Sequence, residues 1–274
     1  MSAAISMESS ATTRAVAEPV QDVRWLLVHD LHDAAGAWLG RQWQRRLPPD
    51  QREQLLVLPA PAFTLHTRAH VRISEGATQS LLRVCLPAQQ ERRLSSETLR
   101  GVLWRADGVW VKGDPATDQE AAYALQERQA LLLAWLHGLG PASATRPRAD
   151  GLAGPRWSGA TWRTRAAGCG LPVVEPCSFP VGVVPSLLVA GNAVVPLVST
   201  AASPAVGEAA RLLAEREGCA HLLLYGTEAS GHWQFVQADP CPDLRLAGAA
   251  ADRLVDALAE RLGIGSQSLS RKAG

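Results

Sequence analysis

An α/β protein is predicted for this chain of 274 residues, and three features of the sequence carry the prediction. The chain opens on a short apolar run, a helical pattern and a second apolar run, the order of a βαβ unit that builds parallel sheets. A long amphipathic stretch, Asp118 to His137, reads as a helix in mid-chain. The second half alternates strand-like runs and Gly-centred turns with further helical patterns. With 47% hydrophobic and 19% charged residues, the chain can bury one large core or two modest ones, since domains run to roughly 100–200 residues.

Taken in order, residues 1–21 are small and polar and read as a disordered arm, with no apolar run of signal-peptide length. Val23 to Val28 is a strand, His29 to Asp33 a polar loop, and Trp38, Leu39, Gln42, Trp43 and Arg46 recur at helical spacing. Leu55 to Leu58 is the next strand. His66 to Val71 and Ser80 to Cys85 form a hairpin around Glu75 and Gly76. Gly101 to Val111 is a buried strand and its exit loop. The Asp118 to His137 helix has an Asp cap and Gly138 past its end. Its apolar residues Tyr123, Leu125, Leu131, Leu132, Trp135 and Leu136 predict a core position.

Arg146 to Trp157 is a Gly/Pro-rich loop, followed by a helix that Ser158 caps and Gly168 or Gly170 ends. A boundary near Thr145 divides the chain into domains 22–145 and 146–263, with 264–274 a flexible polar tail. The second domain runs through Val184 to Val198, a hairpin around Gly191 and Asn192, to a helix over Pro204 to Glu217. Strands His221 to Gly226 and His232 to Ala238 follow, turning at Ser230 and Gly231, before a closing helix over Gly248 to Leu262.

A net charge of +1 and a pI near 7.7 provide no field to gather nucleic acid or an anionic membrane, so neither is an expected partner. No stretch approaches the roughly 18 uninterrupted apolar residues of a membrane helix. Five scattered cysteines without a CxxC pair suit free thiols in a reducing compartment, the cytoplasm by default.

Several residue groups are candidate sites. His29, Asp30, His32 and Asp33 follow the first strand, at the edge where open parallel sheets bind ligands. Trp38 and Trp43 share a helix with Arg41 and Arg45, the residue types that partner surfaces favour. His66 and His70 lack an intervening Glu and lie in an extended pattern, which separates them as metal ligands. The spaced glycines before Ser158 read either as an anion nest aided by Arg146, Arg148 and Arg156, or as a turn docking Trp157 and Trp162 into the core. Cys169 and Cys177 have no nearby base to make either a nucleophile.

Four phrases, together with the order of the elements, resemble the ATP-grasp superfamily, in particular a bacterial branch with a Rossmann-like pre-ATP-grasp domain. They are Gly101 to Arg105 (GVLWR), Glu127 to Leu136 (ERQALLLAWL), Arg146 to Trp157 (RPRADGLAGPRW) and Gly231 to Gly248 (GHWQFVQADPCPDLRLAG). The resemblance spans roughly residues 23 to 262. It implies a Rossmann-like pre-ATP-grasp half followed by a trimmed ATP-grasp-like α+β half. Gly170 to Val173 matches the family's Gly-Ile-Pro-Val turn. On the family's last strand, Gln237 stands where a magnesium-binding Glu is expected and Asp239 where an Asn is. The family also holds nucleotide phosphates with two lysines, yet the sequence has no lysine between Arg148 and Asp239, and only Lys112 and Lys272 in all. Arg156 or Arg163 could place charge near the first of them, but a guanidinium fork does not replace a compact ammonium. Val173 and Gln237 are 64 positions apart, short for the clamp that closes on nucleotide.

The resemblance thus implies a degenerate relative: a catalytically silent accessory or binding protein that recognises a partner protein or peptide, with no cofactor. Two alternatives stand beside it. One is an ATP- and magnesium-dependent carboxylate-amine (peptide) ligase with an atypical site of Arg148, Arg156 and Asp239. The other is a small-molecule sensor using the edge from His29 to Asp33.

Overall fold

A computed structural model describes residues 21–74, 77–86, 91–174, 186–197, 202–229 and 231–265. The expected arm up to residue 20, the tail from 266, the Glu75–Gly76 tip, Cys177 and Ser230 lie outside them. Among the described residues the order is β1 (Gln21–Asp22), β2 (Trp25–His29), α1 (Ala34–Arg46), β3 (Leu55–Pro59), α2 (Ala60–His66), β4 (Thr67–Ser74), β5 (Ala77–Val84), β6 (Arg92–Ser95), β7 (Gly101–Arg105) and α3 (Gln119–Gly138). Then come α4 (Gly159–Ala167), β8 (Ser186–Ala190), β9 (Ala193–Pro196), α5 (Pro204–Arg216), β10 (His221–Ala229), β11 (His232–Asp239) and α6 (Ala251–Arg261). No helix among these is long and apolar enough to cross a membrane.

The opening βαβ unit forms as expected: β3, β2 and β7 make a parallel sheet in that order, with Trp25 opposite both Leu55 and Gly101. All five residues of β2 and of β7 are buried, as strands covered on both faces must be. One face carries Leu26, Val28, Leu56, Val102 and Trp104 against Phe63 of α2, the end of α3, and Leu82, Val84 and Leu94 of a second sheet. That sheet runs β1-β6-β5-β4. The other face carries Trp25, Leu27, Leu55 and Leu103 against α1 and α6. Beyond these two helices lies the third sheet, β11-β10-β8-β9, whose far face packs on α4 and α5. α1 and α6 are therefore the filling between two sheets. Gly101 permits a close approach there, since a Cβ would lie 2.7 Å from the Leu262 side chain.

Several expectations are corrected. Ala60 to His66 is helical, so His66, expected to open the hairpin's first strand, ends α2 instead; Pro61 near the start of α2 suits a first helical turn. β6 was not foreseen, and it recruits Gln21 into a strand. The long helix α3 is only partly core: Leu132, Trp135 and Leu136 are buried, whereas Tyr123 is 65% exposed and Leu131 38%. Ala121 in its first turn is buried as well, so the exposed residues lie on one side of the helix. The closing helix begins at Ala251, because Gly248 adopts φ 54°, which breaks it from the preceding 3-10 turns. Ile264, expected in the tail, is buried.

Candidate functional site

The C-terminal ends of β2 and β7 meet the start of β10 and the end of β11, and polar side chains gather there. Asp33 caps α1, accepting from the Gly36 backbone N–H at 2.8 Å. The same carboxylate accepts from Arg105, at 2.9 Å from Nε and 3.3 Å from Nη2. Arg105 ends β7 with its side chain 2% exposed. Its Nη2 also donates to the Cys241 carbonyl at 3.4 Å, and its Nη1 lies 2.5 Å from His221 Nε2. A guanidinium only donates, so His221 must accept through Nε2 and carry its proton on Nδ1.

The electrostatics follow from burial. His221 is wholly enclosed, and burial, aided by the charge of Arg105, pushes its pKa well below the ordinary value. Burial pushes the Asp33 carboxyl up, but the hydrogen bond and charge of Arg105 outweigh it, and the net shift is downward. Cys241 is held as a thiol, its pKa pushed up to about 12 chiefly by burial. At neutral pH the junction is thus a charged Asp33–Arg105 pair with a neutral His221.

β11 reaches this junction through an irregularity. Its register against β10 shifts between Tyr225 and Gly226, so Tyr225 faces Gln237 while Gly226 faces Phe235. A Cβ at Gly226 would lie 2.2 Å from the Trp233 indole, so the shift requires a residue without a side chain. Trp233 and Phe235 point into the core under α4 and α5. After the bulge Gln237 and Asp239 lie on the opposite face, with Tyr225 and Leu223 as cross-strand partners. Asp239 Oδ1 accepts from the Cys241 N–H at 2.8 Å, and Asp239 is among the groups whose charge favours that of Arg105 against the cost of burial.

The sequence-predicted residues fare unequally. Asp33 and Asp239 converge on Arg105. Asp30 stands beside them, its Oδ2 3.4 Å from the Asp107 N–H, and Asp107 pairs with Arg156. His29 is buried and spends Nδ1 on the Asp30 carbonyl; His32 is exposed. Arg148 turns instead to Glu217, at 3.4 Å, and stacks on Trp157 at 4.6 Å. Of the expected Trp38, Arg41, Trp43 and Arg45 surface, Arg41 and Arg45 are exposed and Trp38 is half-buried, but Trp43 is corrected, at 1% exposed. Trp43 points toward α6, its indole N–H 3.4 Å from the Val255 carbonyl. Trp162 docks into the core, whereas Trp157 stays half-buried between Arg148 and Arg165. His66 ends α2 while His70 lies on β4. Sequence reasoning missed Arg105, His221 and Cys241. A lone arginine closing an apolar strand, and a histidine opening another, were the available signals.

Magnesium favours oxygen ligands and commonly takes one or two carboxylates together with nucleotide phosphates. β11 offers Asp239, one oxygen of which already accepts a backbone N–H, and the uncharged Gln237. Among the described residues no group of three or more His, Cys, Asp and Glu is placed to hold a metal ion. The residues present therefore fit a magnesium–nucleotide site poorly.

The fold is similar to that of solved ATP-grasp ligases, which superpose over most of the chain. A RiPP-associated ATP-grasp ligase of Chryseobacterium gregarium, in complex with ADP and a leader and core peptide, is similar at TM-score 0.60 and 10% identity, over 88% of this chain and 96% of that one. Macrocyclase MdnC of Microcystis aeruginosa MRC, bound with precursor peptide MdnA, gives 0.61 and 10% over 88% and 99%. ATP-grasp ligase PsnB, complexed with a precursor peptide and AMPPNP, gives 0.59 and 13% over 89% and 99%. No family model and no curated protein matches the sequence.

Proposed function

We propose that this protein is a catalytically silent ATP-grasp-like protein that recognises a peptide or a partner protein. The observation that carries the reading is the state of the junction. Its one buried guanidinium, Arg105, is already committed to Asp33, His221 and the Cys241 carbonyl. The stretch from Arg148 to Asp239 contains no lysine. Phosphoryl transfer rests on positioning and charge neutralisation, and a guanidinium with most of its donors used has little left for a phosphate. The peptide side of the reading is supported by the similar folds solved with leader, core or precursor peptides bound.

A second reading, an ATP- and magnesium-dependent peptide ligase, draws support from two of these neighbours, which were solved with ADP or AMPPNP. In it Asp239 would hold magnesium, Arg156 would supply charge, and the bound nucleotide would activate a carboxylate.

A thermal-shift titration with ATP, ADP and magnesium separates the two, because a ligand that binds only the folded state raises its melting temperature. The silent reading expects no shift at saturating nucleotide. A magnesium-dependent rise that Asp239→Ala removes would replace it with the ligase reading.

A further inference from the structure

The outer sheet carries an arrangement that neither reading uses. Arg68 of β4 stands directly opposite Arg83 of β5, and Arg83 directly opposite Arg93 of β6. Three like charges are in register across three adjacent strands, a juxtaposition that costs stability. The Cys85 N–H donates to the His66 carbonyl and the Ser96 N–H to the Ser80 carbonyl. Counting along both ladders, Arg68 and Arg83 form a hydrogen-bonded pair, and Arg83 and Arg93 a non-hydrogen-bonded one, in which side chains stand closer. All three are exposed, while Leu82, Val84 and Leu94 turn to the core on the opposite face. Two acids stand nearby: Glu91 is 3.3 Å from Arg83, and Asp22 is 3.6 Å from Arg93.

Charges on an edge strand are a common guard against aggregation. That accounts for Arg68, but Arg83 and Arg93 lie on interior strands. Among the described residues β4 is also the last strand of its sheet. Because Arg68 directs its backbone groups toward β5, the alternation of an antiparallel ladder turns those of Thr67 and Ala69 outward. An open backbone edge beside an arginine row with two acids for three guanidinium groups, and none beside Arg68 among the described residues, fits one partner better than others: an extended polypeptide that adds a strand to β4 and carries acidic side chains over the row. Nucleic acid or an anionic lipid would match the charge but leave the outward N–H and C=O groups unpaired.

We propose that the free edge of β4 and the Arg68–Arg83–Arg93 row form the docking site for an acidic, extended peptide segment. The proposal rests on the peptide half of the reading above, giving it a place and a chemistry, and is independent of any nucleotide at the Arg105 junction.

The test is fluorescence anisotropy at low salt with a labelled peptide of alternating Glu and Val, compared with Lys–Val and Ser–Val peptides. Saturable binding of the Glu peptide alone is expected, weakened about tenfold by Arg83→Glu through charge reversal. Arg68→Glu should act alike. Ala69→Pro removes an outward N–H and spares the β5 ladder, so it should also weaken binding while circular dichroism stays unchanged. Equal binding of the Glu peptide to the wild type and both Arg→Glu variants overturns the site, as does indifference to Ala69→Pro. Stronger competition by a single-stranded oligonucleotide than by unlabelled peptide would assign the row to nucleic acid and overturn it too. Binding of the Ser–Val or Lys–Val peptide in place of the Glu one would sink the docking site but leave peptide recognition standing; binding of none would sink both.

Discussion

Arginine meets two opposite environments in this protein. At the sheet junction Arg105 is buried and surrounded by acceptors: Asp33, His221 Nε2 and the Cys241 carbonyl. On the outer sheet Arg68, Arg83 and Arg93 are exposed and in register with one another, with Glu91 beside Arg83 and Asp22 beside Arg93 but, among the described residues, no acid paired with Arg68. Desolvation makes the difference. A buried charge without partners costs several kcal/mol, so the junction has to be complete within the chain itself. Exposed charges are screened by water and salt, so a mismatch among them is tolerable and remains open to a partner. A charge cluster that is internally satisfied holds the fold together, and one left incomplete is available for recognition.

The sharpest way to break this contrast is Asp33→Ala. It strips Arg105 of its carboxylate and α1 of its cap, and should cost about 3–5 kcal/mol in denaturant unfolding. Adding Arg105→Met to that variant should recover most of the loss, since the stranded charge is gone. A double variant as unstable as the single one would mean that the pair's geometry, and not desolvation, sets the cost.

His221 gives the next largest effect, read through pH. Its pKa is lowered in the folded state from an ordinary value of 6.5, so the unfolded chain takes up the proton first. Its contribution is therefore complete above about pH 6.5 and falls as the pH drops below it, by up to about 1.4 kcal/mol per pH unit. His221→Gln keeps an acceptor for Arg105 and removes the titration. Unfolding measured from neutral to mildly acidic pH should lose that slope.

Asp239→Ala should remove about 1 kcal/mol through the lost hydrogen bond from the Cys241 N–H. Under the silent reading it has no turnover to abolish, so loss of an ATP-dependent ligation in this variant would decide for the ligase. The smallest effect is expected on the outer sheet. Arg68→Gln relieves a like-charge opposition and should raise stability by roughly 0.3 kcal/mol, an increment that vanishes at high salt.

Much of the architecture was legible because local patterns and tertiary needs agree. β2 and β7 are apolar throughout, and Ser158, Ser203 and Asp118 cap the helices that follow them. Where the reading failed, local pattern was ambiguous. Trp43 has the spacing of a helix face, but spacing does not say which face meets another layer, and α6, more than two hundred positions away, covers it. Tyr123 and Leu131 have the same periodicity and the opposite outcome, because they turn away from the layers that bury Ala121, Leu132 and Trp135 of the same helix.

The candidate site was legible only in pieces. The sequence by itself determined that a polar loop ends the first strand, that no lysine lies between Arg148 and Asp239, and that Asp239 and Gln237 end an apolar strand. Only the tertiary structure decided that Asp33 and Asp239 converge on one arginine. Strict alternation along β11 would place Gln237 and Asp239 on the same face as Trp233 and Phe235, in the core. The shift in register opposite Gly226 turns them to the other face. That choice depends on pairing with β10 and on space for an indole against a glycine, interactions between strands that no single segment of sequence contains.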